Sequence, residues 1–179
     1  HLSIRRQRQM CIRDRRGIEV YDCDAAAKRL MCSDEQLQAA LKLLVGNEVY
    51  ADGVLQKPVL AQFLLASETN KLAVNDVVHP AVARDFEQSG KNWLESAILF
   101  DSGFVHRTRF DYVVCVTAPQ EVRLQRIMQR DQISRQKAEE WINAQLPQAD
   151  VVLQSDFEIR NDGKEDLNLQ IDRLLNQVK

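Results

Sequence analysis

Apolar positions along the chain fall into short runs and helical stripes that alternate with one another. Ile18, Val20 and Tyr21 make a brief β-prone run that ends on the acidic group Asp22-Cys23-Asp24. Residues 25–31 carry three alanines and no breaker, which predicts a helix. Ser33-Asp34-Glu35-Gln36 has the form of a capping box, with Ser33 at the N-cap and Gln36 at N3. A second helix is therefore predicted as far as Gly46, with Leu37, Leu41 and Leu44 on one face. Asp52-Gly53 predicts a turn. Pro58 opens a helix through Leu65, and Ser67 caps another to about Val78. Pro80 is expected to start one more, with Val82 and Phe86 four apart.

The second half has stronger strand signals. Residues 97–100 (Ala-Ile-Leu-Phe) and 112–116 (Tyr-Val-Val-Cys-Val) are continuous apolar runs, the pattern of strands covered on both faces of a parallel sheet. Pro119 introduces a long helix with Val122, Leu124, Ile127 and Met128. Ser134 caps the next, which carries Ala138, Trp141 and Ile142. Residues 157–159 read as a last short strand, closed by the turn Asn161-Asp162-Gly163. Leu167, Leu169, Ile171, Leu174 and Leu175 mark a C-terminal helix. Strands alternating with helices predict an α/β fold of three layers with a mostly parallel sheet.

Composition narrows the functional classes. A chain of 179 residues, 45% of them hydrophobic, suits one domain with its own core. No apolar run approaches the roughly 20 residues of a membrane helix, so no membrane partner is expected. Cys11, Cys23, Cys32 and Cys115 show neither CxxC nor zinc-finger spacing, and no secretory signal pattern is visible. A reducing, cytoplasmic location is the expectation. The net charge of −2 hides an asymmetry: residues 1–16 hold six arginines and one acid. The remainder has 18 basic and 25 acidic residues, a net of −7, which argues against a nucleic-acid partner. The arginine-rich stretch reads as a nucleic-acid or targeting arm, a disordered tail, or a segment foreign to the fold. The expected division takes the third reading, with residues 1–16 atypical and the domain spanning 17–179.

In open parallel sheets, ligands gather beyond the carboxyl ends of strands. Asp22 and Asp24 fall there, and two carboxylates in such a loop suit proton abstraction beside a Mg²⁺ or substrate contact. The competing reading is a helix cap. Asp101 follows the predicted strand 97–100, while Asp111 lies at the opposite end of its strand. Arg123, Arg126, Arg130 and Arg135 lie on consecutive predicted helices, with Arg126 and Arg130 on one face. They suit phosphoryl oxygens, or else form a solvated charged face.

Five segments, in order, carry a resemblance. They are Asp22-Cys23-Asp24 after its strand, His79-Pro80, residues 96–104 around Asp101, residues 125–131 with the lid-like Arg-x-x-x-Arg-Asp, and residues 156–163 around Asn161. From Gly17 to about residue 178 the chain resembles the dephospho-CoA kinase family of P-loop kinases. The resemblance implies a P-loop kinase-like fold with a helical acceptor-binding lobe at 34–90 and a helical lid at 119–150. It implies ATP-dependent phosphorylation of the 3′-hydroxyl of dephospho-CoA, the last step of coenzyme A synthesis, with ATP and Mg²⁺ required. Asp24 would be the general base and Asp22 a metal or substrate contact. Arg130 and Arg126 would serve the moving phosphoryl group, Asn161 the ATP adenine, and His79, Asp101 and Lys28 the acceptor. His79 before Pro80 also reads as a plain helix start. Asp101 stands where the family has Glu, Ala97 where it has Pro, and residues 146–151 replace an acidic run.

The family also opens with a strand, a Gly-x-x-Gly-x-Gly-Lys-Ser/Thr loop and a helix, whose backbone cradles phosphates. A helix and a turn take roughly 15 residues, so that loop is expected near residues 1–7. Those residues hold no glycine or lysine, and the first glycine is Gly17. The expectation is a kinase whose first strand and P-loop are absent or replaced, truncated and inactive as given. The rival expectations are another P-loop small-molecule kinase, close to the nucleoside monophosphate kinases, and a non-catalytic CoA-binding remnant.

Overall fold

The computed structural model describes residues 17–178, so the expectations for residues 1–16, including the phosphate loop, lie outside the described residues. The chain from Ile18 divides into two units, Ile18–Thr108 and Arg109 onward.

In the first unit, Val20–Asp22 forms β1 and Asp22 caps α1, Cys23–Ser33, by accepting from the Ala25 amide at 2.9 Å. The helix thus begins two residues before the alanine run. Asp34 ends α1 and starts α2, Glu35–Val45: its amide donates to Leu30 O while its carboxylate accepts from the Leu37 amide. The cap expected at Ser33 is corrected to Asp34, because the Ser33 hydroxyl is committed to Arg29 O inside α1. Leu37 and Leu41 are the buried side chains of α2. β2, Tyr50–Ala51, and β3, Val54–Leu55, pair antiparallel across Asp52-Gly53. Both turn residues have positive φ, as a two-residue hairpin of this hand needs.

Pro58 in the first turn starts α3, Lys57–Ala66. Ser67 caps α4, Glu68–Gln88, which continues through Pro80 instead of restarting there. A mid-helix proline forfeits one hydrogen bond and costs about 3 kcal/mol. Here Val74, Val78, Ala81, Val82 and Ala83 are buried on both sides of it, and their packing outweighs that loss.

β4 is Trp93–Glu95, parallel to β1 in the register Val20–Trp93, Tyr21–Leu94 and Asp22–Glu95. The strand expected at 97–100 is not one. The carbonyls of Ile98, Leu99 and Phe100 accept from the Ser102, Val105 and Gly103 amides, so a tight turn takes the acceptors a ladder would use.

In the second unit, β5, Val114–Thr117, lies parallel to β6, Phe157–Arg160. α5, Gln120–Asp131, follows Pro119, and Ser134 caps α6, Arg135–Asn143, as the sequence predicts. Leu124, Ile127, Ala138 and Ile142 form the core between these two helices. α7, Gln148–Leu153, is an addition to the predicted elements. α8, Leu167–Gln177, carries Gln170, whose amide both accepts from the Arg160 amide (2.8 Å) and donates to the Arg160 carbonyl (3.0 Å). That side chain satisfies the end of β6 as a further strand would. The parallel pairing expected from the sequence is thus met by two parallel ladders among the described residues. No described helix is long and apolar enough to cross a membrane.

Candidate active site

At the carboxyl end of β1, Asp22 is the last strand residue and the cap of α1, so its capping reading is realised. Asp24 lies half-buried in the first turn of α1, where the helix N-terminus favours a carboxylate. Between them, Cys23 is buried, and burial followed by the charges of Asp24, Asp22 and Glu95 pushes its thiol well up. Cys23 is therefore a neutral spacer between two acids. Lys28, exposed, stands four residues after Asp24 and shares its helical face.

His79 sits on α4, its ring edge-on to the buried Phe104 at 5.3 Å. Its Nδ1 is buried with no hydrogen-bond partner. Burial first, then the Arg107 guanidinium, lowers its basicity, with Asp76 opposing. The ring is accordingly a neutral imidazole with one unused polar atom facing protein. Asp101 is exposed in the turn after β4 and not at a strand tip. The tip position belongs to Glu95, in register with Asp22. Trp93-Leu94-Glu95 repeats the pattern of Val20-Tyr21-Asp22, two apolar residues closed by an acid, which marks the segment as strand-prone without fixing its partner.

In the second unit, Arg126 Nη1 donates to the Asn161 carbonyl at 2.9 Å, so these two predicted residues do meet. Asn161 is buried just past β6, its amide donating to Thr117 O at 2.7 Å. Arg130, one turn after Arg126, is mostly buried. Its Nε (2.8 Å) and Nη2 both donate to one oxygen of Asp131, and its Nη1 is buried without a partner. A buried guanidinium donor left unsatisfied costs about 1–3 kcal/mol or more. An anionic oxygen would relieve that cost, so Arg130 fits a phosphoryl ligand. Arg135 instead bridges Glu121 and Glu139 on the surface and ties α6 to the start of α5.

Among the described residues no group of three or more His, Cys, Asp or Glu side chains could hold a metal ion. Mg²⁺ commonly uses one or two carboxylates together with substrate phosphates, a demand Asp22 and Asp24 can meet by their residue types.

Comparison with known proteins gives a consistent result. The family model described as dephospho-CoA kinase matches residues 9–166, beginning within the arginine-rich stretch. A dephospho-CoA kinase of Bacteroides fragilis strain YCH46 is 37% identical over 166 residues, covering 89% of this chain and 80% of that protein. One from Chlorobium luteolum is 28% identical over 176 residues, covering 90% and 80%. Among solved structures, TT1252 from Thermus thermophilus superposes with a TM-score of 0.79 at 26% identity, over 100% of this chain and 94% of that one. The dephospho-CoA kinase from Campylobacter jejuni gives 0.61 at 18% identity, over 94% and 89%, and supports the fold alone.

Proposed function

The chain belongs to the dephospho-CoA kinase family, a family of phosphotransferases, and on that premise we propose that it serves ATP-dependent phosphorylation of the ribose 3′-hydroxyl of dephospho-CoA. The observation that carries the reading is the guanidinium of Arg130, oriented by Asp131 and left with one buried donor that an anionic oxygen would satisfy. Asp24 takes the proton from the acceptor hydroxyl, favoured as a carboxylate by the start of α1. Asp22 holds Mg²⁺ or the acceptor; the ion would screen phosphate charge. Lys28, His79 and Asp101 position the acceptor, His79 as a neutral imidazole. Arg126, with Asn161, steadies the nucleotide side, and Arg130 neutralises charge on the transferring group. By the resemblance, His79 belongs to the acceptor-binding lobe at 34–90, and Arg126 and Arg130 to the lid at 119–150.

Residues 1–16 contain no glycine or lysine from which a phosphate cradle could be built. In this reading the 179-residue polypeptide binds dephospho-CoA. Calorimetric titration with dephospho-CoA should show binding that Lys28→Ala and His79→Ala weaken. Joined to a strand, glycine-rich loop and helix ahead of Gly17, the protein should gain ATP-dependent transfer. Asp24→Asn or Arg130→Ala should then lower turnover by about a hundredfold or more. Failure to bind dephospho-CoA, or turnover indifferent to Asp24→Asn, would overturn the reading.

A further inference from the structure

Tyr21, Arg29 and Asp85 come from three elements and meet at one atom. The buried Tyr21 hydroxyl donates to Asp85 Oδ2 at 2.5 Å, with the Val82 carbonyl at 3.2 Å. Arg29 Nη2 donates to the same Oδ2 at 2.5 Å. The Tyr21 ring also packs edge-on against Phe86 at 5.2 Å. The arginine head is mostly in solvent, so the ion pair alone contributes little. The tyrosine bond is the stronger member, because its donor is buried and its acceptor is charged. The Arg29 guanidinium first, and the Tyr21 hydroxyl after burial is set against it, hold the Asp85 carboxyl below its ordinary value. The node borders a groove of about 290 Å³, whose other walls are Gln88, Ser89 and Lys91.

The placement of the three residues gives the node its meaning. Tyr21 immediately precedes Asp22 on β1, Arg29 immediately follows Lys28 on α1, and Asp85 lies on α4 beyond His79. One carboxylate oxygen therefore ties α4 to both arms of the β1–α1 turn that carries Asp22 and Asp24. We propose that Asp85 is a positioning residue for acceptor binding, holding the helix of His79 in register with the turn of Asp22, Asp24 and Lys28. The proposal rests on the reading that this unit receives dephospho-CoA. Asp85 touches no substrate in this role; it acts through Tyr21 and Arg29.

The test is dephospho-CoA affinity of the 179-residue chain, measured by calorimetry beside a thermal melt. Asp85→Ala is expected to weaken binding by about tenfold, the value of one buried hydrogen bond. Tyr21→Phe, which keeps the ring and its packing, should show a similar loss, with the melt lowered by only a few degrees. Asp85→Asn retains an acceptor oxygen for the Tyr21 hydroxyl and should recover most of the affinity. In a Lys28→Ala background the Asp85→Ala loss should shrink to less than the full tenfold, because one of the contacts being positioned is gone. Unchanged affinity in both Asp85→Ala and Tyr21→Phe would overturn the proposal, as would a full tenfold loss persisting without Lys28. If the unaltered chain binds no dephospho-CoA, the acceptor reading itself fails and the role of Asp85 falls with it.

Discussion

Burial around His79 disfavours its imidazolium, and the Arg107 guanidinium adds to that effect. Its folded-state value lies below the ordinary 6.5, so the unfolded chain takes up the proton first as pH falls. The corresponding stability is complete above that ordinary value and is lost as pH drops through the folded one. Melts from about pH 7.5 to about pH 5 should therefore slope downward, and the slope should be shallower in His79→Gln. An equal slope in the variant would show that the titration lies elsewhere. Cys23 gives a second prediction at this scale. Its thiol is buried and held protonated, whereas Cys32 is exposed. A thiol reagent should label Cys32 in the native protein and Cys23 only after unfolding, as peptide mass spectrometry can verify. The acids at 22 and 24 and the arginines at 126 and 130 were legible in the sequence as residue types at meaningful spacings. That Asp22 spends one oxygen on a cap, or that Arg130 spends two donors on Asp131, was not, because several side chains compete for each of these bonds.

Helix starts are governed by local chemistry, and they are where the sequence is most readable. Ser67 and Ser134 cap their helices as their hydroxyls and the following stripes require. At the α1–α2 junction two adjacent cap formers compete, and Asp34 wins because Ser33 is still inside α1. Asp34→Ala should accordingly cost about 1 kcal/mol, while Ser33→Ala should be nearly neutral. Chemical denaturation of the two variants measures this, and a reversed order would restore the serine cap. Pro80 departs from its local signal in the other direction. Proline is a strong local stop signal, but a helix buried along Val74, Val78 and Val82 tolerates it. In the second unit Leu124 and Ile127 are almost fully buried against α6, so the helix bearing Arg126 and Arg130 is held by its apolar stripe.

Over the whole molecule, charge is distributed unevenly: the six arginines of residues 1–16 offset a body of net −7. Residues 17–179 are therefore expected not to retain DNA or RNA at about physiological salt. Salt-dependent retention that survives deletion of residues 1–16 would contradict this. The alternation of apolar runs and stripes determined an α/β chain with parallel strands, and five short segments in order determined its family. The first is a property of sequence neighbours, set by side-chain period and capping chemistry; the second is a resemblance carried by residue identities. Tertiary structure alone decided that Trp93–Glu95, and not the more apolar run after it, pairs with Val20–Asp22. It also decided that Glu95 stands opposite Asp22, and that Asp85 joins Tyr21 to Arg29 across more than fifty residues of chain. Each of these outcomes turns on which distant group reaches a carbonyl or carboxylate first, and no local pattern encodes that competition.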